Sequence, residues 1–138
     1  MDGSGAQFVK ALCGLSFLSA TAPALAALTQ PRAYSADDQR CMAGSGGVTV
    51  AMRDCSATEH DRLDAELNRR YRGLMASLPP SKAVALRNAQ RRWLADRRRV
   101  CDAAVRKEGA GTLALVVGDG CYLDRLYDRV AELQAMKR

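Results

Sequence analysis

Aromatic residues make up only 5% of this 138-residue chain, tryptophan occurs once, and histidine occurs once. So few rings leave little large apolar area for a core, and a small domain of that kind leans on crosslinks. The lone histidine, His60, sits between Glu59 and Asp61 and reads as a solvated side chain on a charged face. No nucleophile, base and orienting group can be assembled around it, which excludes a hydrolase of the usual kind. There is no Cys-x-x-Cys pair, and His60 stands outside any ligand spacing, so a zinc site is excluded too. No glycine-rich phosphate loop follows a strand, and no cofactor is implied. The apolar stretch from Ala11 to Ala22 is shorter than the roughly 20 residues that span a bilayer. Internal repeats and low-complexity blocks are absent as well, and apolar residues at 48% argue against wholesale disorder.

What is present begins with an export pattern. Lys10 precedes the apolar stretch and Ala24-Leu25-Ala26 follows it as a small-x-small site, which predicts a cleaved signal over residues 1–26. Cys13 leaves with that segment, and no membrane span remains. Cleavage removes one base, Lys10, and one acid, Asp2, so the net charge stays at +6. Four cysteines are left, Cys41, Cys55, Cys101 and Cys121. An even number in a small exported chain predicts two disulfides and places the protein in the periplasm or outside the cell.

Residues 27–47 lack periodic apolar positions and end in Gly44-Ser45-Gly46-Gly47, which predicts an extended, partly mobile leader fixed at Cys41. A helical domain follows over residues 48–138. Met52, Cys55, Leu63, Leu67, Tyr71, Leu74 and Leu78 form the stripe of a first amphipathic helix. Thr49 can cap it, or Ser56 and Glu59 can form a capping box. Pro79-Pro80 ends it, and Ser81 caps a second helix that runs to about Ala104. In that second helix Gln90, Trp93, Arg97 and Cys101 share one face, and the stretch from Gln90 to Cys101 reads as the organising element of the chain. With so short a turn the two helices lie antiparallel, which sets Asn68 level with Gln90, Asp64 near Arg97 and Cys55 near Cys101. Gly109-Ala110-Gly111 breaks the pattern, Thr112 to Val117 is a helical turn or a buried loop, and Gly118-Asp119-Gly120 interrupts again with Asp119 as a cap. Leu123, Leu126, Val130 and Leu133 then give a third amphipathic helix. The expected architecture is all-α, a small disulfide-stapled bundle of three main helices built on a long antiparallel hairpin.

Two sulfur pairings fit that layout. Cys41 with Cys55 and Cys101 with Cys121 each close a modest loop, while the helical register also allows Cys55 with Cys101 and Cys41 with Cys121. Asp64, Asn68, Gln90, Arg97 and Arg129 lie on or beside apolar stripes. They form either a ligand site or an internal hydrogen-bonded network, with Asp64 and Arg97 as its expected ion pair. Trp93 reads as core. Two surface groups are candidates for partners: the acids Asp54, Glu59, Asp61 and Glu66 on the first helix, and the cations Arg91, Arg92, Arg98 and Arg99 on the outer side of the second. The cations could meet an anionic envelope polymer. No aromatic residues interleave them as a nucleic-acid platform requires, so nucleic acid is not expected.

Cys41 to Cys55 with Thr49 and Met52 between, then Asp64, Leu67, Asn68 and Tyr71, then Gln90, Trp93, Arg97 and Cys101, then Cys121, Arg129 and Leu133 make an ordered set. Their order and spacing resemble the lysozyme-inhibitor LprI N-terminal-like domains, small exported bacterial proteins. The match covers nearly all of the chain after the signal. It departs at Arg98, where the family usually has Asp, and at Gly109-Ala110-Gly111-Thr112, where it has Gly-Gly-Ser. The resemblance implies an all-helical envelope protein without enzyme activity, acting by surface occlusion, with lysozyme or another envelope protein as its partner.

Overall fold

A computed structural model of the chain describes residues 34–136. The expected signal segment and the first part of the leader lie outside the described residues. Four helices occur in order: α1 (Ala36–Gly44), α2 (Thr49–Ser77), α3 (Pro80–Glu108) and α4 (Thr112–Ala135). The chain is all-α within the described residues, with one more helix than the three main ones expected.

The additional helix is α1, which replaces the extended leader over its span. Ser35 caps it, its hydroxyl accepting from the Asp38 N–H at 3.0 Å. Asp37 and Asp38 then occupy the first turn, where the positive helix end favours carboxylates. A serine followed by acids is a legible start signal, but α1 has too few apolar residues to show a periodic stripe.

Helix α2 begins at Thr49, with Val48 as a cap that offers no side-chain bond, and Ser56 lies buried inside it rather than capping it. Leu78, the residue before Pro79, is extended, as proline requires of its predecessor, and Pro80 stands in the first turn of α3 where its missing N–H costs nothing. Helix α3 runs on past Ala104 to Glu108, with Arg106 and Lys107 at its negative end, and stops at Gly109, whose φ of 78° other residues adopt with strain.

Helix α4 is continuous from Thr112, so Gly118-Asp119-Gly120 does not interrupt it. Gly118 is buried, and a Cβ there would stand 2.8 Å from Val105 Cγ2 of α3. The missing side chain is what lets the two helices come together. α4 also buries Ala114, Leu123, Leu126, Val130 and Leu133, together with Arg129, and so holds most of the fully buried large side chains. It packs against both α2 and α3, which touch each other little. The centre of the bundle is therefore α4 and not the tryptophan-bearing helix, which buries only Leu86 and Cys101 completely enough to count as core. The main cluster joins Leu63, Leu67 and Leu74 of α2, Leu86 of α3 and the four large apolar side chains of α4, with Tyr34, Tyr71, Met75, Leu78 and Trp93 packed around it.

Cys41 is bonded to Cys55, which ties α1 to α2, and Cys101 to Cys121, which ties α3 to α4. The alternative pairing is not formed. No described helix is long and apolar enough to cross a membrane.

Candidate functional site

Because α4 holds α2 and α3 from one side, a groove of about 280 Å³ is left between them. Its walls are the face of α2 that carries Asp64, Leu67, Asn68 and Tyr71 and the face of α3 that carries Arg87, Gln90, Arg91, Trp93, Leu94 and Arg97. Helical spacing of three and four puts each set on one face, and the short Pro79-Pro80 turn brings the sets level. The motif residues Asp64, Leu67, Asn68 and Tyr71 of α2 and Gln90, Trp93 and Arg97 of α3 meet here, whereas Thr49, Met52, Cys55 and Cys101 lie outside the groove.

The polar contacts differ from those expected. Asp64 accepts from Asn68 Nδ2 at 2.7 Å, and Asp64 and Arg97 form no ion pair. Arg97 instead lies over two rings, its Cζ 4.7 Å from the centre of Trp93 and 5.4 Å from that of Tyr122. Its Nε and Nη1 are buried and have no hydrogen-bond partner among the described residues. Burial lowers the Arg97 pKa, while Tyr122 and Asp64 pull it the other way. The guanidinium is thus partly withdrawn from water, with only distant compensation.

Arg129 lies behind the groove on α4, 6% exposed. Its Nε donates to Gln90 Oε1 at 2.9 Å and its Nη1 to Glu132 at 2.7 Å, and its Cζ lies 5.9 Å from the Trp93 ring centre. Leu133 is buried in the core. Trp93 is half-buried, packed on the core cluster from one side and facing the groove from the other.

The four acids proposed for a partner do not form one surface. Glu59 is 3% exposed and accepts from the Ser35 N–H at 3.1 Å, from the Ser35 hydroxyl at 2.8 Å, and from Arg62 Nε and Nη2. The Arg62 bond is the main reason its pKa is lowered. Glu66 is paired with both Arg69 and Arg70. Asp54 and Asp61 remain exposed, seven residues apart and so on one face of α2. Of the four outer arginines, Arg91, Arg92 and Arg98 are exposed without an ion pair among the described residues, while Arg99 is bound to Asp96 at 2.6 Å.

His60 and Asp61 line a second cavity of about 320 Å³ between α2 and α4, bridged by Arg53 and Asp119 at 2.8 Å. Among the described residues no group of histidine, cysteine or acidic side chains could hold a metal ion. The Ser35 to Glu59 contact was not visible in the sequence, although Ser35 could have been read as a cap from the acids that follow it.

No curated protein and no solved structure matches the chain. A family model described as lysozyme inhibitor LprI matches residues 41–133, from the first cysteine of the described bundle to the last leucine of the core. That span includes both disulfides and all of the groove, and the chain belongs to the lysozyme inhibitor LprI family.

Proposed function

We propose that this chain is an exported binding protein without catalytic activity that inhibits lysozyme by covering its surface. The observation that carries the reading is the family match, which spans the whole crosslinked body rather than a short motif. Two disulfides in a small domain support an oxidising compartment. Charge narrows the contact surface. A chain of net charge +6 needs a local acidic face to meet a basic enzyme, and the exposed pair Asp54 and Asp61 on α2 supplies one. Clearing of a bacterial cell-wall suspension by lysozyme tests the reading. Purified, disulfide-intact protein in micromolar excess is expected to slow the clearing, and an unchanged rate overturns the assignment.

A second reading rests on Arg91, Arg92 and Arg98 of α3, exposed and without ion pairs among the described residues, with Arg91 at the rim of the groove. They suit an anionic envelope surface, for which the chain would be an interaction module. Binding to an acidic polymer that falls steeply with salt supports this second reading.

A further inference from the structure

We propose that the groove between α2 and α3 binds a small sugar-sized ligand bearing one oxyanion, a carboxylate or a phosphate, with the anionic head against Arg97 and the body along Trp93.

Charge is the first support. The side chains lining the groove include three arginines, Arg87, Arg91 and Arg97, and a single acid, Asp64. That acid is already hydrogen-bonded to Asn68 and forms no ion pair with Arg97. The rings of Trp93 and Tyr122 hold the Arg97 guanidinium in place without neutralising it. Its Nε and Nη1 are closed to solvent and without partners among the described residues, so an anion meets the guanidinium at Nη2, and a half-buried cation short of partners gains from that contact. A guanidinium N–H makes a charge-assisted hydrogen bond to an oxygen of a carboxylate or a phosphate.

The body of the ligand follows from the other walls. Asn68 turns its Nδ2 to Asp64, so its carbonyl oxygen is the end left to accept. Gln90 gives its Oε1 to Arg129, so its amino group is the end left to donate. An acceptor, a donor and one face of an indole suit a ring that is apolar on its faces and hydroxylated at its edge. At about 280 Å³ the groove lies at the small end of ligand sites, which fits one sugar and not a polymer chain.

Trp93 is the only tryptophan and one of its sides lines this groove, so its emission reads binding here. The full disulfide-intact chain, without lysozyme, is titrated with N-acetylmuramic acid, glucose 6-phosphate, inorganic phosphate and neutral N-acetylglucosamine. A saturable emission change is expected with at least one of the two sugar anions. Which of the two responds tells carboxylate from phosphate. N-acetylglucosamine is expected to bind at least about tenfold more weakly, the loss of one charge-assisted contact, and inorganic phosphate likewise because it lacks the ring. Arg97→Gln is expected to weaken the response about tenfold or more. Arg106→Gln, on the exposed last turn of α3, is expected to leave it unchanged. Should Arg97→Gln fail to fold, Arg91→Gln at the exposed rim serves instead, read together with the shift of the Arg97 Nε–H resonance on titration of the wild-type chain. An emission that responds to none of the four probes, or equally to the neutral and the charged sugars, overturns the proposal.

Discussion

Ser35, just ahead of α1, gives both its backbone N–H and its hydroxyl to the carboxylate of Glu59, 24 residues further along on α2. The same carboxylate holds Arg62, and burial seals the cluster. Because the folded pKa of Glu59 is depressed, its contribution to stability is complete above the ordinary carboxylate value of 4.5 and is lost as pH falls through the lower folded value. Glu59→Gln is therefore expected to cost about 1–3 kcal/mol at neutral pH. The difference from wild type should close as the pH is taken below 4.5. Thermal melts of both proteins across that range check it, and a gap that stays constant with pH removes the charged hydrogen bonds as its source.

Asp38 behaves oppositely. It is 7% exposed, its Oδ1 has no hydrogen-bond partner among the described residues, and its pKa is raised by burial first and by the charge of Glu59 second, with Arg62 pulling the other way. Its charged form therefore destabilises the fold above the raised pKa, and protonation relieves that as pH falls. Asp38→Asn is expected to raise the melting midpoint at neutral pH, with the gain fading on acidification. A lower midpoint would mean that the favourable position of Asp38 in the first turn of α1 outweighs its burial.

Gly118 and Gly120 lie two residues apart in α4 and predict opposite outcomes. A Cβ at Gly118 meets Val105 Cγ2 at 2.8 Å, and a β-branched side chain in a helix has little freedom to turn away. Gly118→Ala is expected to destabilise, since overpacking costs about 1–3 kcal/mol and the gain in helix propensity returns only about 1 kcal/mol. At Gly120 nothing stands within 4 Å of the added atom, so Gly120→Ala is expected to stabilise by up to about 1 kcal/mol. Denaturant titration of the two single variants distinguishes them.

Much of this was legible where a single periodicity governs. Leu63, Leu67 and Leu74, the Pro79-Pro80 turn and the stripe from Leu123 to Leu133 all follow from spacing and backbone restriction, and each is in place. The register that set Asn68 level with Gln90 and Asp64 near Arg97 puts all four around one groove. Spacing could not say where a long side chain turns. Arg97 lies on Trp93 and Tyr122 rather than on Asp64 because α4 brings Tyr122 beneath it, and the position of α4 depends on contacts far apart in sequence. The same reason hides Glu59, which looks like a surface acid until α1 folds back over it. Gly118-Asp119-Gly120 reads as an interruption because glycine disfavours helices, and only Val105 explains why a glycine sits in this one.

The two disulfides differ in access. Each pairs a buried sulfur, Cys55 or Cys101, with a more accessible one, and Cys41 is exposed whereas Cys121 is only partly so. Mild reductant is expected to open Cys41–Cys55 first, with alkylation and peptide mapping as the readout. Replacing that pair by serine is expected to cost about 3 kcal/mol for a loop of this length. Amide exchange should rise first in α1, which that disulfide ties to α2. Reduction of Cys101–Cys121 at an equal rate would contradict the difference in burial.

Asp54 and Asp61 give the proposed lysozyme contact its sharpest test, because both are exposed and neither supports the core. Reversing both charges, Asp54→Lys with Asp61→Lys, is expected to lower the affinity for lysozyme at least about tenfold, mainly through slower association, since exposed charges steer encounter. The loss should be greatest at low ionic strength, where screening is weakest. Stability should change little, as surface substitutions usually fall within about 0.5 kcal/mol. The same reversal at Glu66, which already neutralises Arg69 and Arg70, would instead strand two arginines and disturb α2 itself. If the double variant at Asp54 and Asp61 inhibits as well as the wild type, at both low and high salt, the contact surface lies elsewhere on the bundle.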